Sequence, residues 1–314
     1  MHPNLFDPFL AQCGVVILDG ALATELEKRG ADLNHALWSA RLLVENPSLI
    51  KEVHLDYLKA GADIITTASY QANFNGFAKQ GYSRDEATQF ILFATSLAIE
   101  ARNEAMNMNT IKGPRPLVAA SVGPYGASLA DSSEYRGHYS LSVEELMSFH
   151  RDRMKVLAES GADLLACETI PCPEEAIALI RLLKEFPGVK AWISFSCKNE
   201  MAVCDGSDFA ESAALANGSD QVVAVGLNCT APQFVKSLVT IARRVSNKPI
   251  LAYPNHGETW DPGTKCWLPG ESPVDFVKEA ARWKQAGATL IGGCCCSSPV
   301  DIMQLKKTFC QKTK

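Results

Sequence analysis

The sequence has little that would attach it to a membrane or to nucleic acid. Charged residues make up 21% of its 314 positions, the net charge is −5, and no long basic run occurs. The first seven residues, Met1 to Asp7, lack the basic stretch and apolar core of a signal peptide, and no apolar run is long enough to span a bilayer. Nucleic acids and anionic membranes bind basic surfaces, so neither is expected as the main partner. The lack of a signal peptide and of a membrane span leads us to expect a cytoplasmic protein.

Two common patterns of enzyme sites are also missing. No Gly-x-Gly-x-x-Gly follows the first apolar run, which argues against a doubly wound dinucleotide-binding sheet. No Ser-His-Asp or paired-carboxylate constellation stands out, so hydrolases of those classes are not indicated. The eleven cysteines are an odd number spread over a long chain without a secretory signal, and we expect reduced thiols rather than a disulfide framework.

What the sequence does have is an eightfold alternation of apolar, β-prone runs with polar loops and helical patterns. This alternation, with no linker to divide it, predicts a (β/α)8 TIM barrel that forms a single domain over residues 1–314. Helical stretches stop at glycines such as Gly61 and Gly287, a typical helix C-terminus. The apolar runs occupy residues 15–20, 63–69, 117–123, 163–169, 191–197, 222–229, 249–255 and 288–295.

Cysteines stand at the ends of two of these runs. Cys229 ends the sixth run, and Cys294 and Cys295 follow a glycine pair in the eighth. Side chains at the carboxyl ends of barrel strands form the active site, and alternate strands contribute to the same layer, so the three thiols can converge. Three thiolates leave a Zn²⁺ ion one open position, which is typical of a catalytic zinc site. A cluster of small buried hydrophobic residues is the alternative.

Cys296 makes the choice of ligands ambiguous, because three cysteines in a row allow a shift of one position. We favour Cys294 and Cys295 because they directly follow Gly292 and Gly293. Side chains alternate between the faces of a regular strand, and the two glycines would permit the bend that lets adjacent thiols face one centre.

Three segments together resemble the homocysteine S-methyltransferases, a family that includes betaine-homocysteine methyltransferase. They are Leu18-Asp19-Gly20-Ala21, Gly226-Leu227-Asn228-Cys229 and Ile291-Gly292-Gly293-Cys294-Cys295. The resemblance covers essentially the whole chain, and it implies that Zn²⁺ activates the thiol of L-homocysteine to accept a methyl group, which forms methionine. The segment Tyr253 to Glu258 looks most like the branch that takes this methyl group from S-methylmethionine or, less well, from S-adenosylmethionine.

The resemblance also implies roles for residues at other strand ends, with no catalytic residue beyond the metal site. Asp19 and Gly20 would contact the amino acid end of homocysteine, and Glu168 would hold its ammonium group. Asn228 would orient the metal site or a donor group. Each residue also has a purely structural alternative. Asp19 could form a turn that caps the next helix, Glu168 could form a salt bridge to a neighbouring loop, and Asn228 could serve in a simple turn.

Two aromatic residues match positions that surround the quaternary ammonium of the donor in the betaine branch. They are Trp38 and Tyr70. A sulfonium is also a compact cation, and an aromatic face attracts either kind by a cation–π interaction. These two residues therefore indicate a cationic donor without choosing between donors. The segment from Tyr125 to Leu141, rich in Ser, Gly and Tyr, is a candidate lid over the donor.

Other functions remain open at this point. The same site could serve a betaine-type or a selenohomocysteine methyltransferase. A Schiff-base lyase or aldolase would need a lysine near a strand end, for which Lys198 is the near candidate. A phosphate site at Gly292-Gly293 and a zinc-storing or thiol-buffering protein are further alternatives. The sequence leaves the preferred donor and the oligomeric state undecided.

Overall fold

Each of the eight apolar runs contains a β-strand in the computed structural model, which describes residues 4–33, 37–261, 266–268 and 274–310. Eight strands are parallel and hydrogen-bonded in the order β1-β10-β7-β6-β5-β4-β3-β2, while β8 and β9 form a separate antiparallel pair. In chain order, the strands are β1 (Val16–Ile17), β2 (Ile64–Thr66), β3 (Leu117–Val122), β4 (Leu164–Ile170), β5 (Ala191–Phe195), β6 (Val222–Asn228), β7 (Ile250–Tyr253), β8 (Thr259–Asp261), β9 (Cys266–Leu268) and β10 (Ala288–Ile291).

The first and second strands close the sheet into a barrel. Leu18 forms a parallel bridge with Ile64, the Asp63 amide donates to the Ile17 carbonyl at 2.7 Å, and the Asp19 amide donates to the Ile64 carbonyl at 3.0 Å. The (β/α)8 fold predicted from the sequence is therefore confirmed. Seven of the eight strands are shorter than their apolar runs, which also include the residues that follow the strand, whereas β4 is as long as its run and ends one residue beyond it.

Helices connect the strands on the outside of the barrel. Gly61 (φ 100°) and Gly287 (φ 120°) end α4 and α11 in a left-handed conformation, as the sequence predicted. The helices are α1 (Asp7–Cys13), α2 (Leu22–Lys28), α3 (Leu42–Glu45), α4 (Pro47–Ala60), α5 (Phe74–Lys79), α6 (Arg84–Asn107), α7 (Val143–Ala158), α8 (Pro173–Leu183), α9 (Phe209–Ala214), α10 (Pro232–Val245), α11 (Phe276–Ala286) and α12 (Pro299–Cys310). Among the helices of the described residues, none is both long and apolar enough to cross a bilayer.

The inside of the barrel is filled with side chains. Trp192 is fully buried among aliphatic residues of several strands, and its indole nitrogen donates to the Tyr253 hydroxyl at 3.1 Å. Phe6 and Phe9 join this cluster together with the first residues of β3 and β4, so the N-terminal segment covers the end where the strands begin. Ligands can therefore approach only at the opposite end, where the strands finish.

One pair of cysteines departs from the expectation of reduced thiols rather than a disulfide framework. Cys13 at the end of α1 and Cys310 at the end of α12 form a disulfide bond. Barrel closure places the last helix beside the first, and the spacing of cysteines along the chain does not reveal that proximity. Eight other cysteines of the described residues are free thiols, among them Cys229 and Cys294 to Cys296.

Candidate metal and substrate site

Three cysteine sulfurs meet at the carboxyl ends of β6 and β10. The Sγ atom of Cys295 lies 3.8 Å from that of Cys229 and 4.0 Å from that of Cys294, and all three lie within 4.8 Å of one another. In a tetrahedral zinc site with Zn–S bonds of about 2.3 Å, neighbouring sulfurs are about 3.8 Å apart. The donor atoms present and their spacing therefore fit a zinc ion with three thiolate ligands.

Backbone geometry explains why these side chains converge. β6 ends at Asn228, and Cys229 adopts a left-handed conformation with φ 45°, which is uncommon for a residue with a side chain. β10 ends three residues before Cys294, so strand alternation no longer separates Cys294 from Cys295. The Cys229 amide donates to the Tyr253 carbonyl at 3.4 Å and the Cys294 amide to the Pro254 carbonyl at 2.7 Å. The end of β7 thus holds both cysteine segments.

The glycine pair before the cysteines serves close packing. A Cβ atom at Gly292 would lie 2.5 Å from Leu18 Cβ, and one at Gly293 would lie 2.2 Å from Ser297 Oγ. Neither glycine has a left-handed φ angle. The expected bend is present, but these two positions need glycine because the end of β1 and the Ser297 side chain pass so close.

Cys296 lies outside the sulfur cluster. Its backbone is left-handed with φ 67°, and its amide donates to Thr24 Oγ1 at 3.1 Å. Within the described ranges, the group of residues spaced to hold a metal ion comprises Cys229, Cys294 and Cys295. Burial, together with the nearby Glu258 carboxylate, raises the pKa of the Cys296 thiol to about 12, so this thiol stays protonated at neutral pH.

The three clustered thiols do not ionise alike. Hydrogen bonds from Cys294 and Cys295 lower the pKa of Cys229 well below its ordinary value, and the same contacts raise the pKa of Cys295. The Tyr135 side chain lowers the pKa of Cys229 further. One thiolate is thus stabilised by its neighbours, and a bound cation would be needed to ionise the other two.

Two buried carboxyl groups lie at the carboxyl ends of β1 and β4. Asp19 accepts hydrogen bonds from the Thr66 amide at 2.7 Å and the Thr66 hydroxyl at 3.1 Å, so it does not cap α2. Glu168 accepts from the Tyr253 hydroxyl at 3.0 Å and from the Ser121 hydroxyl. Burial raises the pKa of Asp19 to about 7 and that of Glu168 to about 8.

Neither carboxyl group forms a salt bridge with another residue of the described chain. The alternative of a salt bridge to a neighbouring loop is therefore not observed for Glu168. A buried carboxylate is unfavourable without a cationic partner, and its ionised form is stabilised when a cation binds beside it. The pair is suited to an ammonium group brought by a ligand.

The Asn228 side chain connects three strand ends. Its Oδ1 atom accepts from the Thr169 amide at 2.7 Å and from the Ser194 hydroxyl at 2.7 Å, while its Nδ2 atom donates to Thr169 Oγ1 at 2.8 Å. Thr169 is left-handed with φ 62° and follows Glu168 directly. The amide is engaged within the protein, and its hydrogen bonds hold the backbone of Thr169, the residue after Glu168.

The two aromatic residues singled out in the sequence contact each other at the barrel mouth. The ring centroids of Trp38 and Tyr70 are 5.9 Å apart in an edge-to-face arrangement. The Tyr70 carbonyl lies against Gly123, where a Cβ atom would be only 2.4 Å from it. This packing fixes the Tyr70 backbone, and Trp38 is itself held in a left-handed conformation with φ 45°.

A buried hydrogen-bonded network of Arg153, His150 and Glu175 holds the backbone of Tyr70. These residues were not predicted from the sequence as part of the site. Arg153 donates to the Tyr70 carbonyl at 3.3 Å and to the Gly123 carbonyl at 2.5 Å. It also donates to His150 Nδ1 at 2.8 Å, and His150 Nε2 contacts Glu175 at 2.7 Å. His150 and Arg153 lie one helical turn apart on α7, so their spacing in the sequence indicates that they lie on the same side of the helix. Glu175 lies on α8, and only the fold brings it to them.

Other residues at the mouth were also missed. Tyr253 ends β7, so the rule that strand ends carry function could have identified it. Glu134 and Tyr135 lie in the loop after β3, in the segment expected to be a lid, and nothing in their spacing marks them.

Lys198, the candidate for a Schiff base, is exposed just beyond β5.

Comparisons with known proteins point to one family. The family profile described as homocysteine S-methyltransferase matches residues 16–309. The homocysteine S-methyltransferase YbgG of Bacillus subtilis is 50% identical over 293 residues, which cover 93% of each chain. A selenocysteine Se-methyltransferase of Brassica oleracea is 47% identical over 94% of this chain and 88% of its own. The metallated form of the Escherichia coli homocysteine methyltransferase MmuM superimposes with a TM-score of 0.87 at 42% identity, over 96% and 99% of the two chains.

Proposed function

The chain belongs to the homocysteine S-methyltransferase family, and we propose that it transfers the methyl group of S-methylmethionine to L-homocysteine at a Zn²⁺ ion held by Cys229, Cys294 and Cys295. The observation that carries this proposal is the meeting of three sulfurs at tetrahedral spacing beside two buried carboxyl groups that have no cationic partner. Zinc supplies a Lewis acid that lowers the pKa of a coordinated thiol, so that a thiolate is available at neutral pH.

The amino acid end of homocysteine would lie between β1 and β4. Asp19 and Glu168 would bind its ammonium group, and each carboxylate is already oriented by two hydrogen bonds from neighbouring residues. Gly20 lies next to Asp19, and a Cβ atom there would be 2.7 Å from Ser297 Oγ. The absence of a side chain leaves the Gly20 backbone able to approach the substrate carboxylate.

The donor would bind on the aromatic side of the site. Trp38 and Tyr70 offer ring faces to a cation, and such contacts contribute about 0.5–2 kcal/mol each. A thiolate acceptor and a sulfonium donor have opposite charges that disappear during transfer, so water stabilises the reactants more than the transition state. The chain's contribution is therefore to exclude water and to align the two sulfurs with the methyl carbon.

The direct test is product formation. The zinc-loaded protein is incubated with homocysteine and, in separate reactions, with S-methylmethionine, S-adenosylmethionine or betaine, and methionine is measured. We expect the fastest reaction with S-methylmethionine and a slower one with S-adenosylmethionine. A faster reaction with betaine would contradict the proposed donor, and no methionine from any donor would contradict the proposed function.

A selenol acceptor is a second candidate, because one close relative is named selenocysteine Se-methyltransferase. A selenol is more acidic than a thiol and is an equally soft metal ligand. Competition between homocysteine and selenocysteine for one donor would decide it, since the preferred acceptor suppresses methylation of the other. We also propose a cytoplasmic location, where thiols that could bind a metal are kept reduced.

A further inference from the structure

Glu134 lies over the mouth of the barrel on a short 3-10 turn, Ser133–Tyr135, within the loop that follows β3. The Ser196 hydroxyl, just after β5, donates to the Glu134 carbonyl at 3.1 Å. Gly126 packs so closely that a Cβ atom there would be 2.5 Å from the Glu134 amide nitrogen. The barrel framework thus fixes the backbone of this residue.

The Glu134 carboxylate lacks a partner on one side. Its Oε2 atom is buried and forms no hydrogen bond in the described structure. The adjacent cation, Arg136, is exposed and points elsewhere, to Asp131 at 3.2 Å and to the Ser133 hydroxyl at 2.9 Å. A buried carboxylate oxygen without a donor or cation is unfavourable, and such an atom in a native site calls for a ligand.

Glu134 and Tyr70 pack against the same short segment at the start of the loop after β3. A Cβ atom at Gly123 would lie 2.4 Å from the Tyr70 carbonyl oxygen, and one at Gly126 would lie 2.5 Å from the Glu134 amide nitrogen. After burial, the negative charge of Glu134 is the largest contribution to the raised pKa of the Tyr70 hydroxyl. The carboxylate therefore lies near the side of the site where Tyr70 and Trp38 meet, whereas Asp19 and Glu168 follow the ends of β1 and β4.

We propose that the Glu134 carboxylate binds the sulfonium of the methyl donor and so selects cationic donors over neutral thioethers. This inference rests on the proposed function and assigns a specificity-determining contact within it. During transfer, the S–CH₃ bond of the sulfonium breaks with its electron pair left on the donor sulfur, and an electron pair of the acceptor thiolate forms the new S–CH₃ bond. The donor thereby becomes a neutral thioether, which loses its attraction to Glu134. The same carboxylate would thus favour binding of the donor and release of its product.

The test compares Glu134→Gln with Asp131→Asn in the zinc-loaded full chain. Asp131 belongs to the same loop but is exposed and paired with Arg136, so its variant controls for loss of one negative charge nearby. Calorimetry measures the binding of S-methylmethionine and of methionine, its neutral counterpart. We expect Glu134→Gln to weaken binding of S-methylmethionine by about 10- to 100-fold, the range for loss of a buried charge contact. Methionine binding and the KM for homocysteine should change by less than about twofold.

Three results would overturn the inference. They are unchanged S-methylmethionine binding in Glu134→Gln, equal weakening of S-methylmethionine and methionine, or an equal effect of Asp131→Asn. If Glu134→Gln does not fold, Glu134→Asp keeps the charge and must keep the preference for the sulfonium over the thioether. A wild-type protein that makes no methionine from homocysteine and S-methylmethionine would instead refute the proposed function.

Discussion

The sulfur atoms of Cys229 and Cys295 lie 3.8 Å apart although 66 positions separate the two residues in the sequence. β6 and β10 are not neighbours, because β7 lies between them. The residues that end β7 receive hydrogen bonds from both cysteine segments, through the carbonyls of Tyr253 and Pro254. Strand β7 therefore sets the distance between the cysteines that follow β6 and β10.

The first prediction concerns which of the consecutive cysteines bind the metal. We expect Cys294→Ala to lose most of its zinc, because two thiolates bind the ion much more weakly than three. Cys296→Ala should keep a full complement of zinc, since its thiol lies outside the cluster. Atomic absorption on the purified variants measures this. Full zinc in Cys294→Ala together with loss in Cys296→Ala would show that the ligand assignment is shifted by one residue.

The fold and the convergence of the cysteine segments were accessible from the sequence, because they depend on short-range patterns. Eight apolar runs with helical intervals specify the barrel, and the rule that strand ends meet at one mouth brings Cys229 to Cys294. The Cys13–Cys310 disulfide, the Glu175 network and the unpaired Glu134 oxygen depend on which helices and loops come together after closure. Spacing along the chain carries no signal for such contacts.

The Asn228 amide is predicted to stabilise the site through Thr169. In Asn228→Ala the buried Thr169 amide loses its acceptor, which should cost about 1–3 kcal/mol of unfolding free energy. The KM for homocysteine should also rise, because Glu168 precedes the loosened residue. Asn217→Ala is the control, since its exposed amide caps the Val245 carbonyl far from the mouth. Chemical denaturation and steady-state kinetics are the measurements, and equal effects of both variants would argue against a specific role for Asn228.

Gly292 is predicted to be indispensable for close packing. In Gly292→Ala the new Cβ would lie 2.5 Å from Leu18 Cβ and 2.7 Å from the Asp19 carbonyl oxygen, so the ends of β1 and β10 must separate. We expect a loss of about 1–3 kcal/mol in stability and reduced zinc content. Gly218→Ala meets no atom within 4 Å and should be nearly neutral. Thermal unfolding of both variants checks this, and a stable, zinc-replete Gly292→Ala protein would refute the packing argument.

The buried carboxyl groups predict a pH dependence of stability in the protein without substrate. Folding raises the pKa of Glu168 from 4.5 to about 8 and that of Asp19 from 3.8 to about 7. Between pH 4 and pH 8 the folded chain therefore binds more protons than the unfolded chain, and this contribution to stability is lost as pH rises through that window. Glu168→Gln cannot ionise, so its Tm should fall less than that of the wild type from pH 5 to pH 8. Parallel Tm profiles of the two proteins would contradict this expectation.

The central claim is that Cys229, Cys294 and Cys295 hold zinc with one position left for the sulfur of homocysteine. X-ray absorption at the zinc edge tests it most directly, because it counts the sulfur atoms around the metal. We predict three sulfur neighbours in the zinc-loaded protein and four after homocysteine is added. A sulfur count that does not increase with homocysteine, or an initial count below three, would contradict the account.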